Sequence, residues 1–239
     1  MRKRESFNSR WGFILACIGS AVGMGNIWMF PTRVSLYGGG AFLIPYFIFV
    51  ILIGFTGVIS EMSFGRATRS GPIDAFGIAC ESRGHRKAGE ALGWIPVLGA
   101  LAMAIGYTVV MGWILKYTIG TFTGAVLAPA DIDGFAGAFG SMASSFGNNF
   151  WQTAALVICM IILMFGVGSG IETANKIMMP VFFVLFIILG IYVAFQPGAV
   201  DGYHYIFRVD PKALSDPVTW IFALGQAFFS LSVAGNGTL

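Results

Sequence analysis

Long apolar segments separated by short polar stretches dominate the hydropathy pattern of the chain. The clearest is 41–64, in which Glu61 is the only charged residue. A helix needs about 20 apolar residues to cross the roughly 30 Å hydrocarbon core of a bilayer, and backbone groups in lipid must pair within their own segment. The pattern therefore predicts helical membrane spans at 11–36, 41–64, 92–122, 151–168 and 177–195, with a sixth beginning near residue 218.

The first predicted span is interrupted by residues that weaken a helix. The stretch CIGSAVGMGNIWMFP holds Gly19, Gly23 and Gly25 and places Asn26 beside them. Unwound backbone within a membrane is tolerated where it is buried in protein or lines a wet cavity. Free carbonyls there suit a hard cation such as sodium, and a free helix N-terminus suits a carboxylate. Close packing of small residues against another helix is the alternative for the glycine spacing alone.

A second interrupted segment occurs near the end of the chain. The stretch FFSLSVAGNGTL, residues 228–239, again combines small residues, hydroxyls, an asparagine and glycines. Two such segments that open successive five-helix units indicate a transporter binding site between inverted repeats. The apolar segment stops at Leu239 without a basic flank, and an end near the membrane centre would leave helix carbonyls in hydrocarbon. We therefore expect a truncated sequence whose partner is the remaining half of the protein.

The distribution of charge predicts the orientation of the protein in the cell membrane. Charged residues make up 10% of the chain and hydrophobic residues 56%. Basic residues precede the first span and lie between the second and third, whereas 124–149 contains Asp131 and Asp133 but no Lys or Arg. The positive-inside rule therefore places the N-terminus in the cytoplasm. Because the basic residues are divided among membrane-flanking loops, a nucleic-acid partner is disfavoured.

Other classes of protein find no support in the sequence. The first apolar segment is too long for a cleaved signal peptide. The cysteines, Cys17, Cys80 and Cys159, are odd in number and lack metal-ligand spacing, so they imply neither a disulfide framework nor a metal centre. The sequence holds no nucleophile–base set and no phosphate loop, so we do not expect an enzyme.

Four motifs carry a resemblance to the neurotransmitter:sodium symporters, whose fold is that of the leucine transporter. They are GSAVGMGNIW, GGGAFLIPY, EMSFGR and GQAFFSLS, and both their order and their spacing match the family. The resemblance covers essentially all 239 residues and implies an all-α membrane protein with two inverted repeats of five helices. The chain resembles the N-terminal half of a bacterial-type amino-acid transporter, with five transmembrane helices, the start of a sixth, and breaks in helices 1 and 6. The implied segments are a cytoplasmic N-terminal segment (1–10), the first five-helix repeat (11–197), and an extracellular connection with the start of the second repeat (198–239).

The resemblance implies two sodium sites. One sodium would be bound by the carbonyl of Ala21, the side chain of Asn26 and Ser230. The second would use the carbonyls of Gly19 and Val22, and its remaining family ligands lie beyond this chain. An interhelical hydrogen bond is the alternative for Asn26, and a bond to its own helix is the alternative for Ser230.

The resemblance also implies a site for an amino acid. The hydroxyl of Tyr107 and the amides of Met24 and Gly25 would bind the substrate carboxylate. An interfacial aromatic is the alternative for Tyr107. Carriers of biogenic amines have an aspartate where this chain has Gly23, so Gly23 leaves that space for the substrate's own carboxylate. The substrate ammonium would meet the carbonyls of Ala21, Phe229 and Ser230 and the hydroxyl of Ser232. The side chains of Met103, Phe228 and Phe229 would line an apolar pocket for the substrate side chain.

Several further residues match positions that the family uses for gating or structure. Glu61 would steady the unwound sixth helix, with an interfacial pair to Arg66 as its alternative. The spacing of Gly170 and Pro180 allows the fifth helix to unwind in relatives, although Pro180 would also suit an ordinary helix start. The cytoplasmic gate would use Arg4, beside Phe7 where relatives have tryptophan. Tyr46, Gln226 and Ser230 match part of the family's chloride site. Chloride coupling stays open because the seventh-helix residue that decides it is not in this chain.

Two departures from the family pattern change expectations at both interrupted segments. Met29 replaces the arginine of the usual NxWRFP motif, so the outer ion-pair gate lacks one partner. In the sixth helix VAGNG replaces the usual Gly-aromatic-Gly, which should reshape the substrate pocket. The sequence as a whole predicts sodium-coupled symport of a neutral, apolar or aromatic amino acid by alternating access across the bilayer. The alternatives are a non-transporting fragment, an amino-acid-sensing membrane protein of the same fold, and a channel-like subunit.

Overall fold

The computed structural model describes residues 7–129 and 131–233, and these residues are almost entirely helical. Their one isolated extended pairing joins Gly39 and Val209. The α-helices are α1 (Arg10–Ala21), α2 (Phe30–Leu36), α3 (Gly40–Ile53), α4 (Ile59–Thr68), α5 (Pro72–Glu81), α6 (Arg86–Thr123), α7 (Ile132–Ala143), α8 (Asn149–Met164), α9 (Glu172–Ala194), α10 (Ala199–Phe207), α11 (Pro211–Ser215) and α12 (Pro217–Ser230). Shorter π-helical and 3₁₀ segments occupy Gly25–Met29, Gly54–Val58, Ala125–Leu127 and Val167–Ile171. The all-helical class predicted from the sequence is confirmed.

Helix length and composition identify the segments that can cross a membrane. Among the described residues, three continuous helical stretches qualify, and they are Gly40–Thr68, Arg86–Thr123 and Val167–Ala194. The pair Arg10–Ala21 and Gly25–Leu36, bent by 53°, qualifies as a fourth if it counts as one span. Helix α8 has 16 residues and is about 24 Å long. Helix length thus supports three or four of the five predicted spans.

The predicted boundary between the fourth and fifth spans is wrong. Lys176 falls between the predicted spans 151–168 and 177–195, but Val167–Ala194 is continuously helical and contains it. The chain turns earlier, after α8 ends at Met164, where Phe165 is the C-cap and Gly166 adopts a φ of +76°. Pro180 lies inside α9, so the alternative of a helix start at that proline is also wrong.

The described chain divides into two compact units. Residues 98–171 form one unit, and residues 7–97 together with 172–233 form the other. In the larger unit, α12 packs most extensively on α3. Phe42 and Ala223 are fully buried at this contact. Aromatic rings surround them, since Tyr37 stacks on Phe222 with ring centroids 4.6 Å apart. This α3–α12 contact positions the end of α12 beside the first helix.

The same unit holds a close contact between α1 and α9. A Cβ atom on Gly12 would collide with the side chain of Glu172, and one on Gly19 would collide with Oδ1 of Asn175. The two glycines are two helical turns apart and so share one face of α1. Small residues on one helix face let two backbones approach closely, which is a common packing mode of membrane helices.

A buried carboxylate fixes the start of α1 to α9. The side chain of Glu172 is 0% exposed. It accepts hydrogen bonds from the backbone N–H of Asn8 at 2.6 Å and from the hydroxyl of Ser9 at 2.8 Å, and it pairs with Nζ of Lys176 at 2.7 Å. The hydroxyl of Ser9 also accepts the N–H of Gly12 at 3.0 Å and so caps α1. A buried charge requires such partners, so the cap of α1 depends on Glu172.

We expect Glu172→Ala to destabilise the protein because it removes the acceptor for Asn8 and Ser9 and leaves Lys176 without its partner. The midpoint of thermal unfolding in detergent should fall by about 5–10 °C, and amide exchange at residues 8–12 should accelerate. Glu81→Ala is the matched control, since Glu81 pairs with Arg86 at the surface with 55% of its side chain exposed. An equal effect of both substitutions would contradict the role given to Glu172.

We also expect Phe42→Ala to weaken the α3–α12 contact, since the ring is fully buried there. Replacing a buried phenylalanine by alanine costs about 3–5 kcal/mol in the free energy of unfolding. Phe47→Ala, on the same helix with 55% of the residue exposed, should cost less than half as much. Unfolding by denaturant in detergent measures both, and a larger loss for Phe47→Ala would refute the assignment of the core.

Candidate functional site

The interruption predicted in the first span is confirmed, and it lies between α1 and the π-helical turn Gly25–Met29. Helix α1 ends at Ala21, and its C-cap, Val22, leaves helical geometry with φ −81° and ψ 74°. Within the break, the N–H of Gly23 bonds the carbonyl of Ala21 at 3.0 Å, and the N–H of Asn26 bonds the carbonyl of Gly23 at 2.9 Å. The two halves differ in direction by 53°. Met24 and Gly25 therefore stand at the start of a new helical segment, where N–H groups lack partners within the helix.

Three of the oxygen atoms expected to bind the first sodium lie together at this break. The side-chain Nδ2 of Asn26 donates to the carbonyl of Ala21 at 2.7 Å. The hydroxyl of Ser230 donates to Oδ1 of Asn26 at 2.6 Å. The interhelical hydrogen bond considered for Asn26 is therefore present, and the hydroxyl of Ser230 bonds across to the first helix. A carbonyl, an amide and a hydroxyl are uncharged oxygen donors of the kind that a hard monovalent cation takes, so the donor set fits sodium.

Gln226 extends the polar cluster one turn along α12. Its Nε2 lies 3.4 Å from Oδ1 of Asn26 and 3.4 Å from the hydroxyl of Ser230. The residue is fully buried, and its Oε1 has no hydrogen-bond partner among the described residues. An unpaired buried acceptor is rare and marks a place that a further donor or ion can occupy. Tyr46, the other described residue of the matched chloride set, packs against the rings of Phe30 and Phe42.

The end of α12 closes over the break in the first helix. The helix stops at Ser230, and Ser232 in the following turn has a φ of +53°. The hydroxyl of Ser232, which is 5% exposed, donates to the carbonyl of Ser20 at 3.0 Å. The ring of Phe229 lies where a Cβ atom of Gly25 would stand, so glycine is required at that position. Phe228 is 43% exposed, and the rest of the VAGNG motif beyond residue 233 lies outside the described residues.

The carbonyls expected to bind the second sodium belong to the last turn of α1. Val22 donates its N–H to the carbonyl of Ile18 at 2.7 Å, and Gly19 packs against α9. The side-chain amide of Asn175 and the methyl group of Met179 face Gly19. Sequence reasoning missed Asn175, although its position three residues after Glu172 places both on one face of α9.

Met103 and Tyr107 both lie on α6, in the unit of residues 98–171. They are four residues apart, so they share a face of the helix. Two side-chain amides hold this part of α6 to α8. Asn148 donates to the carbonyl of Val109 at 2.7 Å, and Gln152 approaches the hydroxyl of Thr108 at 3.3 Å. These contacts hold α6 at the residues that follow Tyr107, and no pattern in the sequence pointed to them.

The residues matched to gating occupy several helices. Glu61 is half-buried on α4, directly after the π-helical turn Gly54–Val58. Gly170 lies in the π-helical segment Val167–Ile171, immediately before α9. Phe7 meets the ring of Phe13 edge to face, with ring centroids 5.4 Å apart. Arg4 lies outside the described residues.

Arg33 is a further residue that sequence reasoning missed. Its Nη1 donates to the carbonyl of Phe222 at 3.3 Å, and its guanidinium carbon lies 5.2 Å from the centre of the Phe222 ring. Arg33 follows Met29 by one helical turn, so it lies on the same helix face as Met29. The family motif has an arginine at the position of Met29, and Arg33 therefore places a positive charge on that face. The spacing of four residues from the missing arginine was the signal available in the sequence.

Comparisons with known proteins agree with this architecture. A family model described as the sodium:neurotransmitter symporter family matches residues 4–129 and 137–239. An uncharacterized sodium-dependent transporter of Bacillus subtilis is 34% identical over 97% of this chain and 50% of its own length. The sodium-dependent neutral amino acid transporter SLC6A17 of Rattus norvegicus is 28% identical over 99% of this chain and 36% of its own length.

A solved structure is also similar along nearly the whole chain. The crystal structure of MhsT in complex with L-phenylalanine has a TM-score of 0.85 and 37% identity, and the match covers 99% of this chain and 53% of MhsT. The chain thus spans about half the length of the Bacillus subtilis relative and of MhsT. Motifs, helix break and family match agree, and the chain belongs to the sodium:neurotransmitter symporter family, whose members are membrane transporters and not enzymes.

Proposed function

We propose that this chain, together with the second half of its protein, forms a sodium-coupled symporter for a neutral amino acid. The observation that carries the proposal is the cluster of Ala21, Asn26 and Ser230 oxygens at the break in the first helix. The names of the relatives support the same reading, since they include sodium-dependent and neutral amino acid transporters. Sodium entry would drive uptake, with about 2.3 kcal/mol per charge for each 100 mV of membrane potential, in addition to the gradient.

The first sodium would take the carbonyl of Ala21, the amide oxygen of Asn26 and the hydroxyl of Ser230. These donors carry no formal charge, so a substrate carboxylate beside the ion would neutralise it. The second ion would use the carbonyls of Gly19 and Val22 with ligands outside this chain. Oε1 of Gln226, which is buried without a partner, leaves room for a donor or ion next to the first site. Coupling of substrate to sodium follows because each lowers the electrostatic cost of binding the other.

We assign the substrate as an apolar or aromatic amino acid. Its carboxylate would bind the N–H groups of Met24 and Gly25 and the hydroxyl of Tyr107. Gly23 leaves space for that carboxylate, and the ammonium would meet the carbonyls of Ala21, Phe229 and Ser230 with the hydroxyl of Ser232. Met103, Phe228 and Phe229 would line the side-chain pocket. The similar transporter MhsT was solved with L-phenylalanine, which supports an aromatic substrate.

Two contacts would alternate as the protein exposes its site to each side of the membrane. Glu172 holds the start of α1 against α9, on the side that we assign to the cytoplasm from the basic residues around it. Arg33 holds α2 against α12, on the other side of the break from Glu172. Alternating access requires each of these contacts to open while the other is closed. Arg33 would then serve in outer closure, where Met29 cannot.

Replacing Asn26 by alanine should weaken sodium activation of amino-acid uptake. The substitution removes one oxygen ligand, and a hydrogen-bonding contact to a charged group contributes about 1.5–3 kcal/mol, so half-activation should need at least about tenfold more sodium. Uptake of radiolabelled L-phenylalanine into proteoliposomes, titrated with sodium, measures the effect. Asn149→Ala, at an exposed asparagine, is the control. A well-folded Asn26→Ala protein with the parent's sodium activation would remove Asn26 from the site.

The protein should prefer an amino acid to the amine that remains after decarboxylation. Buried donors left unpaired cost about 1–3 kcal/mol each, so L-phenylalanine should bind at least about tenfold more tightly than 2-phenylethylamine. Competition for bound radiolabelled amino acid in sodium buffer measures the ratio. Gly23→Asp should reduce amino-acid binding because two carboxylates would compete for one space, and Gly23→Ala controls for size. Equal competition by the amine would overturn the carboxylate site.

A further inference from the structure

A cavity of about 270 Å³ lies wholly within the unit of residues 98–171. The last turns of α6, the 3₁₀ turn after it, helix α7 and the first turn of α8 line it, and none of its lining residues belongs to the sodium or substrate set. The side chains that decide its chemistry are Lys116, Tyr117, Phe135 and Trp151. One water molecule takes up about 30 Å³ in the liquid, so the cavity has the volume of roughly nine waters. That volume could hold part of a larger ligand.

Lys116 gives this cavity its charge. It is the only lysine or arginine between Lys87 and Lys176 in the sequence, and it lies in a helix apolar enough to span a membrane. Its side chain is half-buried. Among the described residues, 7–129 and 131–233, no ion pair includes it. Of the two acids at the start of α7, Asp131 and Asp133, Asp131 uses its Oδ1 to cap that helix at Gly134. An unpaired ammonium at membrane depth is costly, and an anion would relieve that cost.

The depth of Lys116 and the apolar walls indicate the kind of anion. Lys116 lies seven residues before the end of α6 at Thr123, or about 10 Å, within reach of the membrane interface for a flexible lysine. Tyrosine and tryptophan are enriched at that level, and Tyr117 and Trp151 both line the cavity. Phe135 and Ala138 present one apolar face of α7 to it, and Phe135 is 43% exposed. The ligand therefore combines a negative group with a hydrocarbon chain.

We propose that this cavity is a binding site for an anionic phospholipid. The lipid phosphate pairs with the ammonium of Lys116, and the first methylenes of an acyl chain lie against Tyr117, Phe135 and Trp151. The rest of the chain remains in the bilayer, which agrees with a cavity too small for a whole lipid. The site does not depend on amino-acid transport, so it stands or falls separately from the proposed symport.

The test uses the purified intact protein in detergent and two lipids with the same brominated acyl chains, phosphatidylglycerol and phosphatidylcholine. Bromine quenches tryptophan fluorescence at close range, and Trp151 lines the cavity. Phosphatidylglycerol should quench at about a tenfold lower concentration than phosphatidylcholine, as a charge-assisted contact predicts. Trp151→Phe should remove this high-affinity quenching. Equal quenching by the two lipids in the parent protein would refute the site.

Substitutions at Lys116 separate the phosphate contact from general membrane affinity. Lys116→Met should bring the phosphatidylglycerol curve to that of phosphatidylcholine, whereas Lys116→Arg should keep the preference. Lys212→Met, at an exposed lysine on α11, is the matched control and should behave as the parent. Retained preference in Lys116→Met would overturn the proposal. Displacement of brominated phosphatidylglycerol by millimolar glycerol 3-phosphate would show a site for free phosphate and would also overturn it.

Discussion

The hydrogen bonds that cross from α12 to the broken first helix hold the rest of this site in place. A break in a membrane helix frees carbonyl and N–H groups where water cannot satisfy them. Here the side-chain amide of Asn26 donates a hydrogen bond to the carbonyl of Ala21, and the hydroxyl of Ser232 donates one to the carbonyl of Ser20. Ser230 then joins the two helices through Oδ1 of Asn26 at 2.6 Å. The first break is therefore stabilised both by hydrogen bonds within its own segment and by the helix that ends beside it.

Packing brings the end of α12 to that place. The fully buried Phe42 and Ala223 fix α3 against α12, and the stacked rings of Tyr37 and Phe222 extend the contact toward Arg33. Close packing leaves little freedom, because small errors in a dense interior force side chains off their rotamers. Gly25 illustrates the constraint, since the ring of Phe229 occupies the volume that any larger side chain would need. Apolar contacts thus bring α12 and the first helix together, and the hydrogen bonds of the polar cluster then join the two helices.

The polar contacts on either side of the break differ in kind. Glu172 is a fully buried charge with a lysine, a serine and a backbone N–H as partners, so separation of α1 from α9 would expose or strand that charge. Arg33 instead rests on a carbonyl and an aromatic ring, and it stays half-buried. A cation held by such neutral groups can leave them at a lower electrostatic cost. The two ends of the first helix are consequently held with unequal strength within this chain.

The sequence by itself determined the helical membrane class, the break near Gly23 and the family. Each depends on residue types that are local in the chain: long apolar runs, clustered glycines beside Asn26, and motifs in a fixed order. Tertiary structure alone decided which charges are buried and what they meet. Glu172 and Lys176 resembled loop residues because hydropathy treats every charge as unfavourable in a span. Glu172 is tolerated inside the helix because Asn8, Ser9 and Lys176 satisfy its carboxylate, and Asn8 and Ser9 are more than 160 residues away in the sequence. Arg33 on Phe222 and Asn148 on α6 are likewise contacts between distant segments, which no local pattern records.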